Sequence, residues 1–131
     1  MSRERRKGTS FESMCVRWLS DAFGYEVDRS PLRGSKDRGD ILGATFRGRK
    51  VVLECKNCKR MELAGWMGEL ETEMGNADAD FGAVIHKRKG CGESRFGDTY
   101  VTMPLKVYAA MLAGGPELLG VENGAETRET E

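Results

Sequence analysis

Apolar residues recur at helical spacing from Thr9 to about Phe23, where Phe11, Met14 or Cys15, Trp18 or Leu19, and Ala22 or Phe23 share one face. That period predicts an amphipathic helix, and Gly24 is placed to end it. Tyr25–Arg29 reads as a short strand, and Ser30–Gly39, with Pro31, Gly34 and Gly39, as a polar loop. Asp40–Thr45 and Lys50–Lys56 read as two strands joined by a turn at Arg47-Gly48. Met61 to about Ala77 returns to the helical period through Leu63, Trp66 or Met67, Leu70 and Met74. Phe81–His86 has the unbroken apolar run of a buried strand, 87–98 is a basic Gly-rich loop, and Thr99–Met103 is a further strand. Pro104 opens a last helix with Leu105, Tyr108 and Leu112 expected on its buried face. The order α-β-β-β-α-β-β-α predicts a mixed central sheet flanked by helices, in the α/β or α+β class.

Composition sets the frame for this pattern. At 131 residues, 39% hydrophobic and 32% charged, the chain fits one globular domain. Residues 1–8 are expected to be a basic flexible arm, 9–113 the folded domain, and 114–131 an acidic disordered tail. No apolar run reaches the roughly 18–20 residues of a membrane span, and no apolar segment follows the basic N-terminus as in a secretory leader. A cytoplasmic protein with no membrane partner is expected, its four cysteines reduced. If the chain is phage-encoded, that cytoplasm is the host's.

The formal net charge is zero, yet the charge is sorted along the chain. Residues 28–60 hold ten Lys and Arg against four acids, 61–80 hold six acids and no base, and the segment from Pro116 holds five Glu and one Arg. Such a chain can turn a basic face to a polyanion while staying neutral overall.

The candidate chemistry lies in the segment RGDILGATFRGRKVVLECK, residues 38–56. Side chains two apart on a strand share a face, so Glu54 and Lys56 project together while Val51, Leu53 and Cys55 project the other way. Asp40 opens the neighbouring strand and can approach Glu54. Clustered carboxylates repel, and a cation is their usual compensation. Mg²⁺ prefers a few hard oxygen ligands completed by water or phosphate; Asp40, Glu54 and the backbone carbonyl of Cys55 would suffice, with Mn²⁺ as a substitute. Lys56 would then orient or activate a water, or stabilise charge on a phosphate. A plain alternative stands beside this: Asp40 as a turn residue, and Glu54 with Lys56 as a solvated ladder pair. Glu12 likewise fits a capping box begun at Thr9.

Together, KGTSFESMCVRWL, then RGD before an apolar strand, then VVLECKN resemble the PD-(D/E)XK nuclease superfamily, most closely its archaeal and phage Holliday-junction resolvase branch. The matching motifs are Gly8-x-x-x-Glu12, Asp40, and Glu54-x-Lys56, and the likeness extends through GNADADFGAVIHKRKG to cover roughly residues 7–112. The resemblance implies a restriction-endonuclease-like αβββαβ core and a Mg²⁺-dependent endonuclease. Its catalytic residues would be Glu12, Asp40, Glu54 and Lys56, with Glu12 reaching the metal through water. It also implies a homodimer cutting four-way DNA junctions. Two departures stand out: Gly39 replaces the motif's proline, and the helix after Lys56 carries Glu69, Glu71 and Glu73 where many relatives have a glutamine. Because acids repel DNA, that helix face is expected to point away from the substrate. Ser30 or Ser35 could match a loop serine of some relatives.

Phosphate contacts are expected from Lys7, Arg33, Lys36, Arg38, Lys59, Arg60, Lys87, Arg88 and Lys89, with Arg95 and the arm residues Arg3, Arg5 and Arg6 adding to them. Cys55, Cys58, His86 and Cys91 offer four zinc-type ligands, but a thiol knuckle beginning at 55 conflicts with a strand through 56. Two rival readings therefore accompany the junction resolvase. One is a related nuclease acting on duplex, nicked or flap DNA; the other is a non-catalytic nucleic-acid-binding or zinc module.

Overall fold

The longest strand organises the molecule. The computed structural model describes residues 3–31 and 37–120, with side chains from Ser10 onward. Its elements are α1 (Arg3–Phe23), β1 (Asp28–Arg29), β2 (Ile41–Leu42), β3 (Thr45–Phe46), β4 (Arg49–Lys56), α2 (Leu63–Ala77), β5 (Phe81–His86), β6 (Tyr100–Thr102) and α3 (Leu105–Ala113). The sheet order is β1-β2-β4-β5-β6, with β3 paired to the start of β4. Strands β4 and β5 run parallel from Val51 opposite Phe81 to Lys56 opposite His86, while the other pairs are antiparallel. Parallel neighbours need a crossover, which α2 supplies. The result is a mixed sheet flanked by helices, as the hydrophobic pattern predicts.

Local chemistry explains the turns. Arg47 and Gly48 have φ of 53° and 78°, the double positive φ of a two-residue hairpin whose twist matches its strands. The single strand expected over 40–45 is broken into β2 and β3 at Gly43, where φ is +104°. Gly39 has φ +99°, and a Cβ there would lie 2.8 Å from Val52 Cγ1. Proline is locked near −65°, so the motif's proline has no place in this backbone.

Strand alternation divides the core. On one face Leu53, Ala83 and Ile85 pack with Phe11 and Cys15 of α1, together with Val27, Ile41 and Phe96. On the other, Val52 and Val84 meet Trp66 and Leu70 of α2. Helix α3 packs Val107 and Ala110 onto Phe81.

Four expectations need correction. Helix α1 begins at Arg3 instead of Thr9, so the backbone of residues 3–8 is helical; Arg, Glu and Lys are good helix formers. The loop expected at 87–98 contains a 3-10 segment over Glu93–Asp98, anchored by Phe96 against Phe11 with ring centroids 5.6 Å apart. Helix α3 is turned the other way: Leu105, Tyr108 and Leu112 are exposed, while Val107 and Ala110 are buried, since small side chains let the helix approach Phe81. Residues 114–120, expected as tail, include a 3-10 turn at Pro116–Leu118, whose Glu117 forks onto Arg49. Lys7's side chain, Arg33, Lys36, Ser35 and residues 121–131 lie outside the described residues. Among the described residues, no helix is long and apolar enough to cross a membrane.

Candidate functional site

Strands β4 and β5 end side by side at Lys56 and His86. The carboxyl ends of adjacent parallel strands form the usual ligand crevice of an open α/β sheet, and here the candidate residues meet.

Asp40 is fixed on three sides. Its N–H donates to the Leu53 carbonyl (2.8 Å), its own carbonyl accepts from Ser30 N–H (2.8 Å), and its Oδ2 accepts from Cys55 N–H (2.8 Å). Ser30 therefore acts here through its backbone. Alternation along β4 aims the Cys55 carbonyl at the same edge as its N–H, towards Asp40. Burial raises the Asp40 pKa, against the lowering effect of the Cys55 N–H.

Glu54 is buried beside Asp40. Burial first, then the Asp40 charge, push its carboxyl up to about 10. Lys56 Nζ lies 3.6 Å from Glu54 Oε2 and 2.7 Å from Glu69 Oε1. Burial pulls the Lys56 ammonium down, but the Glu69 hydrogen bond and the Glu54 charge outweigh it and the pKa is raised. Glu12 projects from α1, accepts a hydrogen bond from Arg29 Nε at 3.3 Å, and is raised by burial and by the Asp40 charge. With α1 starting at Arg3, Glu12 sits well inside the helix, and the capping-box role is removed. Glu12, Asp40, Glu54 and Lys56, drawn from three separate parts of the chain, thus share one electrostatic neighbourhood.

Two further acids join them. Helix α2 does not turn its acidic face away. Glu73 is 3% exposed and lies on the same buried stripe as Trp66 and Leu70, and burial pushes it up to about 7. Asp37 is held by a hydrogen bond from Asn76 Nδ2 to its carbonyl (2.7 Å) and by Gly39 N–H on its Oδ1 (2.9 Å). One carboxylate oxygen from each of Asp37, Glu54 and Glu73 lies within 4.8 Å of the others. Glu54 Oε1 and Glu73 Oε1 are buried without a hydrogen-bond partner. A hard divalent cation suits such an oxygen set. Glu73 was visible in the sequence as an acid at an apolar position, seven after Trp66 and three after Leu70; Asp37, inside a polar loop, carried no comparable signal.

The zinc-type set does not assemble. Among the described residues, only Asp37, Glu54 and Glu73 converge as a three-ligand group. Cys58 is exposed and Cys91 buried. Cys55 faces Cys15 of α1, whose hydrogen bond, with burial, raises its thiol pKa. His86 is a buried strand end: it is 3% exposed, bonded through Nε2 to Thr102 Oγ1 at 2.8 Å, and in tilted ring contact with Trp66 and Tyr100. Of the expected phosphate contacts, Arg38, Lys59, Arg60, Lys87 and Lys89 are exposed. Arg88 lies over the Tyr100 ring and donates to the Asp98 carbonyl, and Arg95 pairs with Asp98.

No family model and no solved structure matches the chain. It is 29% identical over 133 residues to a triosephosphate isomerase of Chlorobium phaeovibrioides (strain DSM 265 / 1930), a match covering 99% of this chain and 50% of that protein. The chain spans about half the length of this curated relative.

Proposed function

We propose that the protein is a Mg²⁺-dependent endonuclease of the cytoplasm that cleaves branched DNA, a four-way junction resolvase working as a homodimer. The observation that carries this reading is the meeting of Asp40, Glu54 and Lys56 at the ends of parallel strands, with a buried Glu54 oxygen that has no partner. The isomerase likeness brings no residue role across, since it reaches half of that protein at 29% identity.

Asp40, Glu54 and the Cys55 carbonyl would hold the ion, with Glu12 alongside through water. A bound Mg²⁺ supplies Lewis acidity towards a phosphate oxygen and a lower pKa for water. Lys56, kept protonated by Glu69 and Glu54, acts as a fixed cation: it orients a water through Nζ or stabilises charge on a phosphate oxygen, and is not the proton acceptor. The exposed Arg38, Lys59, Arg60, Lys87 and Lys89 would grip phosphates, which fixes position without reading bases and suits recognition of DNA shape. The acids of α2 are partly neutralised, Glu69 by Lys56 and Glu71 by Lys106 at 3.1 Å.

The test uses labelled four-way junction, linear duplex and single strand, each with Mg²⁺ or EDTA, and with Glu54→Ala. Paired nicks in the junction alone, lost in EDTA and in the variant, are expected. Cleavage of every substrate moves the reading to a general duplex or flap nuclease, and no cleavage at all overturns it. Gel filtration of the full chain checks the dimer.

A further inference from the structure

We propose a second divalent-cation position between β4 and α2, with Asp37, Glu54 and Glu73 as its carboxylate ligands. It is distinct from the Asp40, Glu54 and Cys55 carbonyl set, shares only Glu54 with it, and stands whether or not the protein cuts DNA.

Three observations lead here. First, the three residues bring one oxygen each to within 4.8 Å of one another. Around an octahedral ion with Mg–O distances of about 2.0–2.1 Å, ligand oxygens lie about 3 to 4 Å apart, so closing the set onto Mg²⁺ or Mn²⁺ takes only side-chain adjustment. Second, Glu54 and Glu73 are 7% and 3% exposed, and the Oε1 of each is buried without a hydrogen-bond partner. Buried carboxylate oxygens held side by side are costly, and the cost is relieved by a shared proton in the metal-free chain or by a shared cation in the loaded one. Third, these residues line a cleft of about 300 Å³ with Lys56, Glu69 and Thr72, which leaves room for the waters that Mg²⁺ retains.

The neighbouring cation does not fill the role. Lys56 engages Glu69 and the other oxygen of Glu54, leaving Asp37 and Glu73 outside its ion pairs. The ligands come from parts held in place independently. Glu73 is fixed by the buried stripe of α2, and Asp37 by Asn76 one helical turn further on and by its own turn to Gly39. An all-carboxylate set suits Mg²⁺ or Mn²⁺, whereas zinc and copper sites draw on thiolate or imidazole ligands that this cluster lacks. The ion would also tie α2 to the edge of β4 through Glu73, beside the Glu69 that holds Lys56.

Mn²⁺ titration of the full chain, read by electron paramagnetic resonance of free Mn²⁺ and by calorimetry, tests this without reference to cleavage. The wild type is expected to bind two Mn²⁺ per chain. Glu73→Gln and Asp37→Asn should each weaken one of the two by at least about tenfold and leave the other in place, while Asp40→Asn should do the converse. Circular dichroism checks that Glu73→Gln folds, and Asp37→Asn, at an exposed position, gives the same information without a core change. Unaltered Mn²⁺ number and affinity in both Glu73→Gln and Asp37→Asn overturns the proposal. Loss in those variants with no change in Asp40→Asn upholds it and removes the Asp40 position instead, so the two metal readings fail separately.

Discussion

Strand β4 presents two faces that differ in kind. Towards α1 it shows Val51, Leu53 and Cys55, which close against Phe11, Cys15 and Phe96. Towards α2 it shows Val52, Glu54 and Lys56; Val52 joins Trp66, Leu70 and Val84, and then the face turns ionic. Both faces are built by one backbone in one register, so the difference lies in side chains alone. The first face holds the strand in place, and the second uses that rigidity to keep like charges together. A carboxylate cluster is tolerable on β4 because the opposite face does not depend on it.

The two faces should respond to substitution with effects of graded size. The largest concerns activity: Glu54→Gln should lower junction cleavage on the order of 10³-fold, in the range seen when one group stabilising a transition state is removed, while the fold is retained. Single-turnover cleavage together with a thermal melt separates the two effects. Next is its mirror on the other face. Leu53→Ala should cost about 2–5 kcal/mol, read by urea denaturation, and should reduce cleavage only in proportion to the unfolded fraction.

A smaller effect distinguishes the faces by pH. Without divalent ions, folded Glu54 is pushed up to about 10 from an ordinary value of 4.5, so the folded state keeps a proton that the unfolded chain has released. Stability should therefore fall as pH rises through that window. His86 works in the other sense. Burial lowers its pKa below 6.5, so its neutral form is accommodated at higher pH and stability is lost as pH falls below that value. Melts in EDTA from pH 5 to 9 should show Glu54→Gln flattening the alkaline decline in melting temperature, and Mg²⁺ doing the same for the wild type. The smallest effect belongs to the surface: Arg17→Ala breaks the pair with Glu93, whose side chains are 60% and 77% exposed, and should change stability by less than about 1 kcal/mol.

Much of this was legible in the sequence. The element order was legible because Phe11 and Cys15 recur at helical spacing, while Phe81–His86 is an unbroken apolar run of strand length. Glu54 and Lys56 could be paired because strand spacing needs no tertiary knowledge. What was hidden depended on contacts between distant segments. The face of α3 was misread because Leu105, Tyr108 and Leu112 are larger than Val107 and Ala110, and size alone favoured the wrong stripe. Acidity suggested that α2 turns Glu69 and Glu73 away from the site; the paired Lys56 and the buried stripe turn them towards it. Asp37 is brought to them by the hydrogen bond from Asn76 of α2 to its carbonyl, a contact 39 residues apart that no local pattern announces.

The turn at Gly39 has a genetic consequence. Every single-base missense change of a glycine codon introduces a side chain with a β-carbon, and at position 39 that atom would meet Val52 Cγ1 at 2.8 Å in a backbone with φ +99°. In a random-mutagenesis library selected for function, position 39 should be as empty of survivors as Asp40 beside it. A map of tolerated codons would then mark as indispensable a residue that contributes no functional group, and whose whole part is to let the chain turn into Asp40.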